Sequence, residues 1–337
     1  MKIAYFDYAR DLSVRHYVEN LVRELTALGV RLIPFRFGEP LPEGVDLYWD
    51  PRLTGTVLPT ERFKAASKPC VITMHDGAPF TLLPWEYYPN WQIAYQSLKQ
   101  AVVQRYRWRK WRGVCTAIIT VSESAKLGIQ RALGLRDENI VVIYHGVDHR
   151  IFRPSEDETP PCRYLLHVSQ YQPVKNLARV FRAYQRIRDE NTPELIVVSP
   201  RYPHHNHSLP GIRLVRESLS HADLVPLYQN ACGFVFPSLH ETFGMPLIEA
   251  MACGCPVITS NGTACKEVGG DAALLVNPRR VPEIAAAMQQ LVANSSLRGL
   301  LRRKGIVRAS AFRWEKSARQ HLEVFAQAAT GTNGRHV

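Results

Sequence analysis

The chain has no apolar run approaching the ~18 residues that a membrane-crossing helix needs. Its start, MKIAYFDYAR, meets an acid at Asp7 before any apolar region of the kind that leads a protein out of the cell. The expected location is therefore the cytosol. Internal repeats and low-complexity tracts are also missing, which argues against a solenoid or a disordered scaffold. Acids are scarce relative to bases, 30 against 42, so the formal charge is +12 and the partners are expected to be anionic. Cysteine is sparse, seven residues in 337. Cys253, Cys255 and Cys265 lie near one another but have no second cysteine pair or suitably spaced histidine to complete a zinc pattern. All seven are expected to be free thiols, with Cys253 and Cys255 acting as small buried residues around a helix end.

What is present is alternation. Strand patterns over 2–7, 30–37, 45–49, 70–74, 117–121 and 140–143 are interrupted by helical spacing over 14–28 and 91–112, and Ser122 is placed to cap a short helix. Val18, Leu21, Val22, Leu25 and Leu28 recur at helical spacing, and Gly29 follows as a stop. Residues 146–162, GVDHRIFRPSEDETPPC, have no periodicity and read as a linker. Alternation then resumes: strands over 164–169, 195–199, 213–215, 233–237, 257–259 and 273–276, and helices over 176–188, 222–231 (Ser220 as N-cap), 281–293 and 297–309. This pattern predicts two successive α/β domains, each a parallel sheet with helices on both faces. The predicted domains are 1–150 and 151–311, and a last helix over 312–330 carries Trp314, Ala318, Leu322, Phe325 and Ala329 on one face.

The stretch 239–260, LHETFGMPLIEAMACGCPVITS, organises the second half. Glu241 stands just before a helix predicted over 246–253, and Glu249 stands about one turn inside it. Gly244 leaves the backbone open to close approach, Pro246 suits a first helical turn, and Gly254 suits the position after a helix end. A strand, an acidic turn, a helix N-terminus and a second acid together suit a ligand with both hydroxyl and phosphate parts. Amides and the helix dipole attract an anion, and a carboxylate accepts hydrogen bonds from paired hydroxyls.

These residues resemble glycosyltransferase family 4, whose members have the GT-B fold, two Rossmann-like domains facing each other across a cleft. The family runs Pro-Ser, an apolar pair, Glu-Gly-Phe-Gly, Leu-Pro, then Leu-Glu-Ala-Met-Ala. This chain has Pro237-Ser238, Glu241-Thr242-Phe243-Gly244, Met245-Pro246 and Ile248-Glu249-Ala250-Met251-Ala252, with Thr242 as a departure. TVSESAK and VVIYHGVD also match, and Phe312-Arg313-Trp314 stands where the family's terminal helix begins before crossing back to the first domain. The resemblance implies transfer of a hexose from a nucleotide sugar, with retained anomeric configuration and no metal. The lack of an Asp-x-Asp pair agrees with the last point. An acceptor-binding first domain and a donor-binding second domain are implied with it.

The resemblance also implies residue roles. Glu241 faces the transferred sugar, and Glu249 holds the ribose hydroxyls. Lys175, followed by Asn176, clamps the diphosphate together with the backbone around Phe243, Gly244 and Met245. Ser169 and Gln170 stand where the family has Gly-Arg, so Gln170 takes the second place in the donor set. His75, at the end of the 70–74 strand, is implied near the reacting sugar; from the residues alone a structural histidine is as good a reading. In the first strand–helix turn, Asp11 to Tyr17, Ser13 and Arg15 stand where glycines are expected, and Ser13 is carried into the donor set.

Two further stretches carry chemistry-bearing residues. Residues 98–113, LKQAVVQRYRWRKWRG, mix six bases with Tyr106, Trp108 and Trp111. A solvated helix face with inward tryptophans is the first reading, and an anionic membrane surface the second; nucleic acid would explain the charge but not the acid pair. His204, His205 and His207 sit in a proline-flanked loop and read as solvent-facing. The expected activity is a hexosyltransferase of bacterial surface polysaccharide synthesis, cytoplasmic or peripheral on the inner membrane. Its donor would be GDP-mannose first and UDP-sugars next, and its acceptor a glycan or a lipid-linked glycan. The alternatives are a GT-B epimerase or phosphorylase, or a non-catalytic nucleotide-sugar-binding protein.

Overall fold

The computed structural model describes residues 1–7, 12–54, 57–76, 90–111, 113–134, 140–156, 162–203 and 209–331. The His204 to His207 loop, Asp11 in the first turn, Arg112 and the 157–161 part of the linker lie outside the described residues. The chain divides into two compact units: the part up to Gly146 together with the segment from Trp314, and Val147–Arg313.

The first unit is built on a six-stranded, wholly parallel sheet. Its strands are β1 (Lys2–Phe6), β2 (Arg31–Phe35), β3 (Leu47–Leu53), β4 (Cys70–Met74), β5 (Ala117–Thr120) and β6 (Ile140–Val142), in the order β2-β1-β3-β4-β5-β6. Alternate residues of β3 and β4 serve opposite faces, as the pleat requires. Tyr48, Ile72 and Met74 pack with Phe63, Trp108 and Trp111 on one face. On the other, Trp49 and Thr73 meet helix α1 (Leu12–Ala27) and the last helix of the chain, Trp314–Thr330. Among the described residues, two further helices, α2 (Trp91–Trp108) and α3 (Glu123–Leu133), belong to the unit. Ser122 caps α3 by accepting a hydrogen bond from the Ala125 amide at 2.9 Å.

A buried polar chain ties the last helix to this sheet. The Trp49 indole N–H donates to Thr73 Oγ1 at 3.0 Å, and Thr73 Oγ1 lies 3.1 Å from the Tyr17 hydroxyl. The Tyr17 oxygen is in turn 2.7 Å from His321 Nε2. His321 Nδ1 donates to the Ser317 carbonyl at 2.8 Å, so its Nε2 is the acceptor and Tyr17 the donor. Burial holds the His321 imidazole neutral, with its pKa lowered to about 4.

The second unit repeats the plan in a different order. Its strands are β7 (Tyr164–Val168), β8 (Glu194–Val198), β9 (Ile212–Val215), β10 (Gly233–Phe236), β11 (Val257–Ser260) and β12 (Ala273–Val276), all parallel, in the order β12-β11-β10-β7-β8-β9. The chain order reverses between β7 and β10, so their carboxyl ends form the crevice where open α/β sheets take ligands. Helices α4 (Leu177–Ile187), α5 (His221–Gln229), α6 (Met245–Ala252), α7 (Thr263–Gly269), α8 (Val281–Ala293) and α9 (Ser295–Ala309) flank the sheet, and Trp314–Thr330 is numbered α10. Ser220 begins α5 with a capping box, its side chain paired reciprocally with Asp223. Helix α7 has no counterpart in the predicted elements: its seven residues are too few to show a helical period.

Helix α6 ends as its glycine predicts. Gly254 has φ +73°, its amide donates to Met251 O, and the next amide, of Cys255, donates to Ala250 O. A Cβ at Gly254 would also collide with the Arg302 guanidinium.

The expectation of seven free thiols is corrected. Cys162 and Cys232 form a disulfide with 4.2 Å between their Cα atoms. They precede β7 and β10, neighbours in the sheet, and the Cys232 amide donates to Tyr164 O at 2.8 Å. Strand adjacency across 70 residues of sequence, invisible in the spacing, brings them together. The bond lies at the amino ends of the two strands, opposite the crevice. The remaining five cysteines are free and buried. Burial raises their thiol pKa values, those of Cys70 and Cys265 to about 12.

Candidate functional site

The site residues of the second unit gather at the carboxyl ends of β7 and β10. After β7 the chain turns through a short 3-10 segment, Pro173–Lys175, to Asn176, which has φ +65°. Asparagine tolerates this left-handed backbone better than most residues. The Asn176 side-chain amide donates to Pro237 O at 2.9 Å and Pro278 O at 2.7 Å, and the Leu239 amide donates to Val174 O at 2.8 Å. Three loops are thereby fastened to one another, and Lys175 is fixed above the end of β10.

Lys175 Nζ donates to Glu241 Oε1 at 2.7 Å and lies 5.5 Å from the centre of the Phe236 ring. The pair is mostly withdrawn from water, with side-chain exposures of 19% and 10%. Three residues after Glu241 comes Gly244, with φ +92°, which opens α6. A Cβ there would stand 3.0 Å from Leu247 Cδ1. Met245 begins the helix, where the first amides have no intrahelical partner. Phe243 is buried and packs edge-on against Phe312 with ring centres 5.8 Å apart. Gln170 is exposed beyond the end of β7.

Glu249 is the fifth residue of α6 and is buried. Its Oε2 accepts from the Tyr228 hydroxyl at 3.2 Å. Desolvation raises its pKa from 4.5 to about 7, and the Tyr228 hydrogen bond opposes the shift. Tyr228 carried no signal in the sequence: it lies 21 residues from its partner, at the end of a separate helix.

His167 and Ser169 line the same end of β7. His167 Nδ1 lies 2.7 Å from Val235 O, which can only accept, so this nitrogen is the donor. Burial lowers the His167 pKa to about 4, and the neutral Nε2 accepts from Ser169 Oγ at 2.7 Å. Ser169 is thus held by the strand beneath it.

The two remaining site residues belong to the first unit. His75 follows β4, is buried, and its Nε2 lies 2.7 Å from Pro51 O. Its ring stands edge-on to Tyr17 with centres 4.7 Å apart. Ser13 is exposed and lies in the first turn of α1, which begins at Leu12, earlier than the helix predicted from 14. No group of histidine, cysteine and acid side chains able to hold a metal ion occurs among the described residues.

The sequence models of two families match separate parts of the chain: glycosyltransferase family 4 over residues 55–151, and glycosyl transferases group 1 over 162–294. The O-antigen chain mannosyltransferase B of Escherichia coli is 28% identical over 276 residues, 76% of this chain and 69% of its own. The MMP alpha-(1->4)-mannosyltransferase of Mycolicibacterium hassiacum is 30% identical over 63% of this chain and 54% of its own. The chain thus spans between half and two thirds of that second relative. Among solved structures, sucrose-phosphate synthase of Thermosynechococcus elongatus superposes with a TM-score of 0.75 at 19% identity, over 97% of this chain and 98% of that one. Anabaena HepE in complex with UDP-glucose gives 0.72 at 15% identity, over 97% and 100%. At such identities the likeness establishes the fold, which is GT-B. The two family matches, the fold and the acid-flanked turn after β10 together make the chain similar to glycosyltransferases of family 4 and of group 1.

Proposed function

We propose that the chain transfers mannose from GDP-mannose, with UDP-sugars as second choice, to a glycan or lipid-linked glycan of a bacterial surface polysaccharide, with retained anomeric configuration and without a metal. The observation that carries this reading is the Lys175–Glu241 contact of 2.7 Å at the β7/β10 crevice, beside the start of α6. The two named relatives, the O-antigen chain mannosyltransferase B of Escherichia coli and the MMP alpha-(1->4)-mannosyltransferase, support mannose. A neighbour's complex with UDP-glucose supports a nucleotide-sugar donor.

The difficult step breaks the bond between the anomeric carbon and the diphosphate oxygen. Negative charge grows on the leaving phosphate, and positive charge grows on the ring. Lys175 and the amides at Gly244 and Met245 would stabilise the first, the kind of preorganised contact that supplies the largest share of catalysis. Glu241, oriented by Lys175, would fix the sugar ring. Glu249 would accept from the ribose hydroxyls with the oxygen that Tyr228 leaves open. Phe243, with its ring committed to Phe312, would contribute backbone alone. Gln170 is assigned a polar contact to the donor. The protein would act on the cytoplasmic side, peripheral to the inner membrane. No helix among the described residues is long and apolar enough to cross a membrane.

The test is release of nucleotide from GDP-mannose and UDP-glucose by the intact chain, with and without a chelator. Glu241→Ala, Glu249→Ala and Lys175→Ala should each reduce turnover on the order of 10²-fold or more; full activity in all three would remove the site. A non-catalytic binding protein is favoured by Ser13, Arg15 and Gln170 standing in place of family glycines and arginine. Calorimetric binding of GDP-mannose with no transfer to any acceptor would decide for it.

A further inference from the structure

Helix α2 carries a stripe that the site does not use. Trp91, Tyr95, Leu98, Val102 and Tyr106 step by four, three, four and four residues. At about 3.6 residues per turn they fall within roughly 80° of the helix circumference. All five are exposed, at 74, 54, 43, 61 and 64%. The helix already has a buried side: Ala94 and Trp108 are 5% and 4% exposed, and Trp111 just beyond it is 2% exposed. The inward tryptophans of the sequence reading are therefore Trp108 and Trp111, whereas the centre of the stripe lies about a third of a turn from Trp108. By the same geometry Lys99 and Arg105 flank the stripe on either side. From Trp91 to Trp111 the sequence holds five bases, Lys99, Arg105, Arg107, Arg109 and Lys110, and no acid.

We propose that this stripe lies in the surface of an anionic lipid bilayer, with Trp91, Tyr95 and Tyr106 at headgroup depth, Leu98 and Val102 below them, and the flanking bases on lipid phosphates. The proposal deepens the peripheral placement offered above and rests on that reading only for the choice of membrane. Aromatic and aliphatic residues on one face with bases at its margins form the pattern of a helix lying in an interface. The charge selects the occupant. Two copies of this helix face to face would oppose Lys99 and Arg105 with the same two bases, and no acid of the helix would separate them. An anionic leaflet instead complements each base, at roughly fivefold in affinity per charge near the surface.

The intact chain is sedimented with vesicles of phosphatidylglycerol and phosphatidylcholine, and with phosphatidylcholine alone. Binding at least tenfold stronger to the anionic vesicles is expected. Leu98→Gln with Val102→Gln, and separately Lys99→Glu with Arg105→Glu, should each weaken it tenfold or more. Glutamine is a good helix former and both sites are exposed, so melting temperature and GDP-mannose binding in solution should stay unchanged. Equal binding to neutral and anionic vesicles, or none, overturns the proposal, as does wild-type binding by the Leu98→Gln/Val102→Gln chain. A solution dimer that this double variant dissociates overturns it in favour of a second copy. Vesicle binding without GDP-mannose binding removes the donor reading and leaves the membrane face standing.

Discussion

If Glu249 holds the donor as proposed, it ties donor binding to pH, and the size of the effect follows from its surroundings. In the unliganded chain its pKa stands at about 7, raised by burial. Ribose hydroxyls donate, so they need the charged carboxylate. At about pH 6 roughly one molecule in ten carries that charge, and at about pH 8 roughly nine in ten. Affinity for GDP-mannose should therefore fall about tenfold from pH 8 to pH 6. A nucleotide sugar is the right probe because its diphosphate has no terminal oxygen titrating in that range. Glu249→Gln should bind more weakly and show a flat profile. Tyr228→Phe removes the hydrogen bond that opposes the rise, so its midpoint should move upward. The same group acts on stability with the opposite sign. A carboxyl held protonated in the fold and ionised when unfolded contributes stability below about pH 4.5 that is lost as pH rises through about 7. The gap corresponds to about 3 kcal/mol. Glu249→Gln should thus be more stable than the parent at pH 8 by up to that amount, measured by denaturant titration. A flat wild-type affinity profile by calorimetry between pH 6 and pH 8 would refute the reasoning.

The other expectations concern separate parts of the molecule. Buried His167 and His321, each lowered from 6.5 to about 4, contribute stability above about pH 6.5 that is lost as pH falls toward 4. The loss should be about 3 kcal/mol for each, and His321→Gln should flatten its share in urea titrations across that range. Gly244→Ala puts a side chain at φ +92° and 3.0 Å from Leu247 Cδ1. It should lower stability by about 1–2 kcal/mol and weaken donor binding, read by thermal shift with and without GDP-mannose. Thiol titration in denaturant without reductant should count five cysteines, because Cys162 and Cys232 are joined. Cys232→Ser should lower stability by about 4 kcal/mol, as expected for a cross-link closing a loop of 70 residues.

Much of the fold was legible because each element carries its own signal. The strand over 70–74 and the helix over 281–293 match their predicted bounds, and Ser122 and Ser220 cap the helices they were expected to cap. Gly254 ends α6 because a left-handed residue is needed there. Strand order was not legible, since it depends on which strands find one another after the chain has crossed over. For that reason the Cys162–Cys232 bond and the Tyr228–Glu249 contact, both across crossovers, left no trace in the spacing. The acid-flanked turn was legible because its chemistry is local, with Glu241, Gly244 and Glu249 lying within nine residues. Its dependence on Asn176, which stitches three loops with one side-chain amide, was not.

The two glutamates reach opposite electrostatic solutions from neighbouring positions, and topology is the cause. Glu241 sits on the turn leaving β10, where the adjacent β7 delivers Lys175, so a fixed cation stands 2.7 Å from one of its oxygens. Glu249 sits inside α6 with the Tyr228 hydroxyl as its side-chain partner, 3.2 Å away, and holds its proton until near neutral pH. A diphosphate that draws on Lys175 must share it with Glu241, because one ammonium cannot fully neutralise both. Gln170 brings no second cation to the end of β7, so on the proposed donor site the start of α6 would carry more of the phosphate's charge than where an arginine stands in that place. On the proposed donor site, that shift of load from a side chain to backbone amides would make the left-handed conformation at Gly244 a functional requirement as well as a conformational one.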